Sequence, residues 1–581
     1  MRTEFRFVLA VGLMFLVLMA TNRLFPPVVP ETTQSPDSSV VDSGGGVVTE
    51  DNEGRDASSR SELPSLPEVV DNAPDVPSGD APEEGVPERQ VTVESPLYRF
   101  NFSSYGARLI SAELTQFQAL NQEGLVDLIP EGVDGYLGQR LIVGSDTLDL
   151  SRVPYTVEPE GGLSLSASDE AGILRFTYQH PTSDFNFTIS YNFSPDTYSV
   201  GVSGELSGLS ERPALLTDLG EGVAFAEADS AQEARMMAYV HNHLDEGIQS
   251  TILEGAEAEI VEGPLLWAAF RNKFFVTALL AGEGMEGLSE DLTTDRDYLG
   301  GLIVSEGSLP ERVKVETAQS VGNDGRFAYR LFLGPQEYTR LSSLGQGMEE
   351  VNPYGWRFFR PIIRPFVSVI MAILVFLHTN LAIGYGWVLI VFGVAMRIVL
   401  FPLNHRAMKA QLRNMSVQPL VQEIQKKYKD NPEKLQKEMM RLYKEHGFNP
   451  LAGCLPMLLP FPMLIALFFV FQNTIELRGV PFLWLADLSA KDPVYILPVL
   501  LAISMFLMQW VSLRSLDQPN PQMKMMMWMM PPFMLFIFMN LASGLNLYYA
   551  TANIATIPQQ VWIARERKKM KGQAPLKLRS D

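Results

Sequence analysis

Cysteine is nearly absent: among 581 residues there is one, Cys454. It excludes an intramolecular disulfide and any multi-cysteine metal site. Histidine is scarce at six, and the three in the first half (His180, His241, His243) follow no ligand spacing. No nucleotide-binding loop, no HExxH and no nucleophile elbow occurs, so no catalytic set or cofactor is called for. Acidic residues are missing where they would be most telling: the long apolar runs of the second half contain no Asp or Glu. Ion-coupled transporters place carboxylates or histidines within their spans, and secondary transporters show repeated halves. Neither sign is found, and a channel is the weaker alternative that sequence leaves open.

What is present is sorted by sign. The chain carries 46 Lys and Arg against 67 Asp and Glu, a net charge of −21. Acid dominates the N-terminal half, while base clusters at Arg406–Lys444 and Arg565–Arg579. That asymmetry argues for a chain sorted across a membrane and against sequence-specific nucleic-acid binding. The 26 methionines concentrate in the C-terminal half and suit surfaces that accept varied apolar partners.

The first apolar run, Phe5–Ala20, reads as a cleaved signal peptide or a short anchor. Leu18 and Ala20 make a poor cleavage site, which favours an anchor over 1–22 with its N-terminus inside. Residues 23–90, rich in Pro, Ser, Gly, Asp and Glu with almost no aromatics, read as a disordered acidic linker. Residues 91–345 change to short alternating strands: Tyr98, Phe100 and Phe102, then Phe185, Phe187, Ile189, Tyr191 and Phe193 before Ser194-Pro195-Asp196. A large antiparallel β-sandwich is expected, with a helical exit at Tyr338–Met348. Within 346–384 the apolar run Arg360–His378 begins with Arg360, Pro361, Arg364 and Pro365, so this stretch reads as an interfacial helix region.

Residues 385–563 read as five transmembrane helices. The expected spans are Trp387–Leu403, Pro450–Gln472, Tyr495–Trp510, Met523–Asn540 and Leu545–Trp562. The segment His405–His446 holds ten Lys and Arg, and the tail 564–581 is basic, so both belong in the cytoplasm. With the first anchor the spans number six, and residues 23 to about 384 lie outside. The segment 406–447 has helical spacing in Leu420, Ile424 and Tyr428 and again in Leu435, Met439 and Leu442. Asp430-Asn431-Pro432-Glu433 supplies a cap and a proline for a second helix. A basic helical hairpin is expected, with Lys426, Lys427, Lys429, Met439 and Met440 as its docking candidates.

Arg397 stands out in this half, because apolar residues flank it closely on both sides. A charge at membrane depth costs from a few to more than ten kcal/mol, so it marks a polar cavity or pathway. On the last span Asn546, Tyr549, Asn553, Thr556 and Gln560 recur at three and four residues and share one face. Alone, that stripe fits interhelical hydrogen bonding. Combined with an arginine that has no buried carboxylate to pair with, a shared hydrated groove is the better reading.

Four stretches carry a family resemblance: Met396–Leu403 (MRIVLFPL), Asn449–Pro456 (NPLAGCLP), Asp487–Pro498 (DLSAKDPVYILP) and Ser543–Tyr549 (SGLNLYY). Through them the chain resembles the YidC/Oxa1/Alb3 membrane-protein insertases. The resemblance covers about 350–565 closely, and the first anchor and long outer domain look like the Gram-negative form. It implies a five-span core around a hydrophilic groove, open to cytoplasm and lipid but closed outside, with Arg397 as the groove arginine and Tyr549 as a groove tyrosine. It also implies a supersandwich-like periplasmic domain, related in fold to sugar mutarotases. The implied partners are nascent membrane proteins, the ribosome, the Sec translocon, signal-recognition components and membrane lipids. Two departures affect groove polarity: Gly393 stands where the family often has a hydroxyl, and Pro460 where some members have Gln. A reading of another class is a membrane-anchored periplasmic binding or chaperone protein, for which the β-domain and not the groove would be essential.

Overall fold

The computed structural model describes residues 88–253, 257–282, 298–308, 312–352, 360–402, 405, 424, 427–428, 432–445, 461–514 and 521–570. The expected anchor, acidic linker, first hairpin helix and basic tail beyond 570 lie outside these residues, as do Lys426, Lys429, Cys454 and Pro460.

The β-domain follows from period-two burial. In the strand Tyr98–Ser103 the side chains of Tyr98, Phe100 and Phe102 are buried, and Arg99 between them is exposed. Asn186–Phe193 alternates the same way, burying Phe187, Ile189, Tyr191 and Phe193. These strands belong to two sheets. One has five strands centred on Tyr98–Ser103, and the other has fourteen and contains Asn186–Phe193. Their pairing is antiparallel apart from a short parallel contact between Gln90–Glu94 and Leu163–Ser164. Aromatic rings join the sheets: Phe102 lies 5.1 Å from Tyr191, 5.7 Å from Phe176 and 6.0 Å from Phe193. Offset and edge-on rings at such distances add about 0.5–1.5 kcal/mol per pair beyond area burial.

Helices α1 (Ser230–Ala234) and α2 (Tyr338–Leu344) belong to this half of the chain. Then come α3 (Arg360–Leu381), α4 (Tyr385–Val399), α5 (Pro432–Glu445), α6 (Phe461–Asn473), α7 (Ile496–Arg514), α8 (Pro521–Phe538) and α9 (Ser543–Met570). Helix α5 begins at Pro432, the position where the missing N–H of proline costs no hydrogen bond. Pro361–Leu381 and Ile496–Arg514 are long and apolar enough to cross a membrane. Tyr385–Val399, Met463–Asn473 and Met527–Phe538 are apolar but shorter.

A second core, separate from that of the β-domain, joins α3 (Val367, Ile370), α4 (Leu389, Phe392), α6 (Leu467, Phe471) and α9 (Leu545, Tyr548). The opposite faces are apolar and exposed: Phe376 on α3, Trp387 and Ile398 on α4, Ile503 on α7. Apolar area on that scale implies that the solvent is lipid. Helix α3 was expected to lie along the interface. It has the length of a span, with one face packed on this core and the other exposed and apolar.

The connection Thr474–Tyr495, between α6 and α7, joins both halves. Arg478 and Glu227 form a buried ion pair, the two side chains 4% and 8% exposed. Arg478 also donates to the carbonyls of Gln118 and Ala226 and lies over the Phe275 ring. Lys273, almost fully buried, donates to the Ser489 carbonyl at 3.2 Å, and Lys491 pairs with Asp229 at 3.3 Å. At the other side of the connection, the carbonyls of Ala490 and Leu488 accept from the N–H groups of Ser543 and Gly544. These are two of the donors that the start of α9 leaves without intrahelical partners. Asp492, fully buried, caps α7 by accepting from Val494 and Leu497.

Two outcomes are expected. Glu227→Ala strands a buried guanidinium and should cost about 3 kcal/mol in denaturant unfolding, whereas the double variant Glu227→Met, Arg478→Met should recover most of it. His241 is buried in the strand Ala238–His243, and that burial, helped by nearby His243, lowers its pKa to about 4. Below an unfolded pKa of about 6.5 the unfolded chain gains a proton that the folded chain refuses, so stability falls as pH drops through this window. Between pH 7 and 5 the His241 contribution amounts to roughly 2 kcal/mol. Melting curves of His241→Gln against the parent should show the parent losing that margin on acidification.

Candidate functional site

Arg397 lies in the last turn of α4, which continues into a helical Phe401-Pro402. The side chain is partly buried, and its Nε is enclosed without a hydrogen-bond partner. No Asp or Glu occurs in α3, α4, α6, α7 or α8, and α9 has its only one at Glu566.

Helices α4 and α9 meet at Gly393. A Cβ built there would sit 3.4 Å from Thr551 Cγ2 and 3.5 Å from Tyr548 Cδ2, ordinary contact that leaves no room for more. Phe392 and Phe471 place their rings 5.6 and 5.5 Å from Tyr548, so α4, α6 and α9 meet at that tyrosine. Phe538 at the end of α8 stands edge-on to Tyr549 at 5.4 Å. Past Arg397, Phe401, His405 and Trp562 form an aromatic cluster with ring centroids 5.2–6.1 Å apart.

The structure gives the residues of the expected polar stripe different surroundings. Asn546 is fully buried and donates to the Phe538 carbonyl at 3.0 Å, and its Oδ1 has no partner. Asn553 is buried and donates to Ser504 Oγ of α7 at 3.4 Å. Thr556 bonds back to its own helix at Ala552. These three groups are taken up by helix packing, because an amide left in lipid must find a partner. Tyr549 and Gln560 remain partly exposed. Ser504, the partner of Asn553, could have been flagged as a small hydroxyl in an otherwise apolar run. Tyr548 is indistinguishable from a neighbouring aromatic until the packing is known.

Of the docking candidates, Lys427 is exposed and its ammonium lies 5.7 Å from the Tyr428 ring centre, and Met440 is 53% exposed on α5. Leu442 is buried. The side chain of Met439 lies outside the described residues. Among the described residues no cluster of His, Cys, Asp and Glu could hold a metal.

An apolar helical core with Arg397 among its helices, joined to a large β-domain, defines a polytopic membrane protein with a large domain outside the bundle. Two family models match, "YidC periplasmic domain" over residues 90–369 and "60Kd inner membrane protein" over 376–571. The chain is 31% identical over 512 residues to the "Membrane protein insertase YidC" of Pelodictyon phaeoclathratiforme, covering 83% of this chain and 84% of the relative. It is 33% identical over 507 residues to that of Chlorobium phaeovibrioides, covering 82% and 83%. A solved structure described as an active YidC insertase with its first transmembrane domain resolved overlaps 82% of this chain and 93% of its own, at 19% identity and a TM-score of 0.33. The chain belongs to the YidC family of membrane protein insertases.

Gly393 gives this subsection its test. Gly393→Ala fits the space beside Thr551 and should raise stability by up to about 1 kcal/mol, as alanine does inside a helix. Gly393→Leu overpacks the α4–α9 contact and should cost about 1–3 kcal/mol. Thermal unfolding of the purified variants in detergent checks both signs.

Proposed function

We propose that the region around Arg397 and Tyr549 is the floor of a hydrated groove that receives the polar outer segment of a nascent membrane protein. The observation that carries this reading is the buried, unpartnered Nε of Arg397 among helices whose one acidic residue, Glu566, lies near the end of α9. A cation so placed needs water or a passing polar group to solvate it. It therefore attracts acidic and polar segments while offering no permanent counterion. Gln560 continues the path toward the end of α9, and Asn546, Asn553 and Thr556 form its wall by fixing α9 against its neighbours.

Five spans in this bundle (α4, α6, α7, α8 and α9), with the anchor as a sixth, and cytoplasmic termini follow from the positive-inside distribution of Lys and Arg. Helix α4 has 15 residues, about 22 Å at 1.5 Å per residue, against a hydrocarbon thickness of about 30 Å. A polar segment beside it crosses a shortened apolar distance. The client's apolar span then partitions into lipid, worth about 0.8 kcal/mol per buried methylene. Lys427 and Met440 on the basic hairpin suit docking of a ribosome or signal-recognition component, and the Sec translocon is a further partner in keeping with family membership.

Insertion of single-span substrates after depletion of the endogenous insertase tests the reading. Arg397→Ala should lower insertion of substrates with acidic outer segments at least tenfold, and Arg397→Lys should restore part of it by supplying charge without the guanidinium fork. Full insertion by Arg397→Ala would remove the groove charge from the mechanism.

A further inference from the structure

The α6–α7 connection contains a run of eight uncharged residues, Gly479-Val480-Pro481-Phe482-Leu483-Trp484-Leu485-Ala486. Its tip is built rather than loose. Phe482 and Leu485 exchange both backbone hydrogen bonds at 2.9 Å, closing a two-residue turn at Leu483-Trp484. Phe482 is seated on the start of α4: a Cβ on Gly386 would approach its Cδ2 to 2.1 Å, and Trp387 meets its ring edge-on at 5.4 Å. Trp484 donates Nε1–H to Asp492 at 3.2 Å, the residue that caps α7. The tip is thereby held level with the first turns of two apolar helices.

Leu483 projects from this turn 73% exposed, with φ of +55°. Glycine or asparagine is the ordinary choice at such a φ, and a branched apolar side chain there is strained. Water would disfavour the exposure as well. Trp484 is 40% exposed beside it, and the surface continues without a charge through Trp387, Ile496 and Val499, all at least 40% exposed. Tryptophan at the level of helix ends is the pattern of a membrane–water boundary. Arg478 and Lys491 tie the same connection to the periplasmic β-domain, so this boundary is the outer one.

We propose that the Phe482–Leu485 turn is a membrane-interface anchor: Leu483 enters the acyl region of the outer leaflet and the Trp484 ring lies at the headgroups. The occupant is phospholipid, because the tip is continuous with the lipid-facing sides of α4 and α7. The anchor fixes the depth of the outer end of the bundle, at the end opposite Arg397 on α4.

The experiment uses the full chain with its single cysteine replaced (Cys454→Ala), reconstituted alone in phosphatidylethanolamine–phosphatidylglycerol vesicles. A nitroxide is attached at Leu483→Cys, at Val499→Cys as a lipid-facing reference, and at Ser168→Cys on an exposed turn of the β-domain. The label at 483 should collide with oxygen several-fold more than with a water-soluble nickel chelate, like the label at 499. A preference for the chelate, matching the label at 168, overturns the proposal. So does a label at 483 that is water-accessible in vesicles and protected only when a partner protein is added, which would make the tip a protein-docking surface. Because Leu483 is already exposed, labelling leaves the packing of Phe482 intact, and a melting temperature equal to the parent's verifies that.

Discussion

The solvation of one guanidinium constrains this molecule more than any other interaction. Lipid supplies no hydrogen bonds, so each polar group in the bundle must be matched by protein or reached by water. Helix–helix contacts in this core give Asn546 and Asn553 each a partner for the side-chain N–H, and the helix backbone matches Thr556. Arg397 is the group they do not match at Nε. Its place in the last turn of a 15-residue helix moderates the cost, since a long side chain near a helix end can reach toward the interface.

That arrangement requires the helix ends to be held, and the α6–α7 connection holds them. The same short segment caps α7 through Asp492, satisfies the first N–H groups of α9 through Leu488 and Ala490, and locks onto the β-domain through Arg478. A charged pair buried between domains is poor as a source of net stability but strict about geometry, because either partner left alone is heavily penalised. The β-domain is thus attached to the α6–α7 connection through Arg478, with Lys273 and Lys491 adding polar contacts on the same side.

Much of this was legible in the sequence. Period-two burial at Tyr98, Phe100 and Phe102 and from Phe187 to Phe193 is a direct consequence of strand geometry, and the sheets bury the residues that alternate. Pro432 opened a helix where its lack of an N–H costs nothing. The stripe on α9 was visible at helical spacing, yet spacing reports only that residues share a face, not what faces them. Whether Asn553 lines a cavity or meets Ser504 depends on the register of α7 against α9, a tertiary quantity. Arg478 was equally hidden: its partner Glu227 lies 251 positions away in sequence, and no local pattern encodes such a pairing.

The different surroundings of these residues bear on how the proposed groove would persist between helices that attract one another. Interhelical bonds of Asn and Ser fix α9 against α7, and the contact at Gly393 brings α4 against the same helix. Both contacts oppose a rotation of α9 that would bury Tyr549 or close over Arg397. Rotation would break the Asn553–Ser504 bond and drive Thr551 away from Gly393. On the proposed reading, the polar residues that face protein are the ones that would keep Arg397 open, and a bundle with apolar residues in their place would be free to collapse onto it.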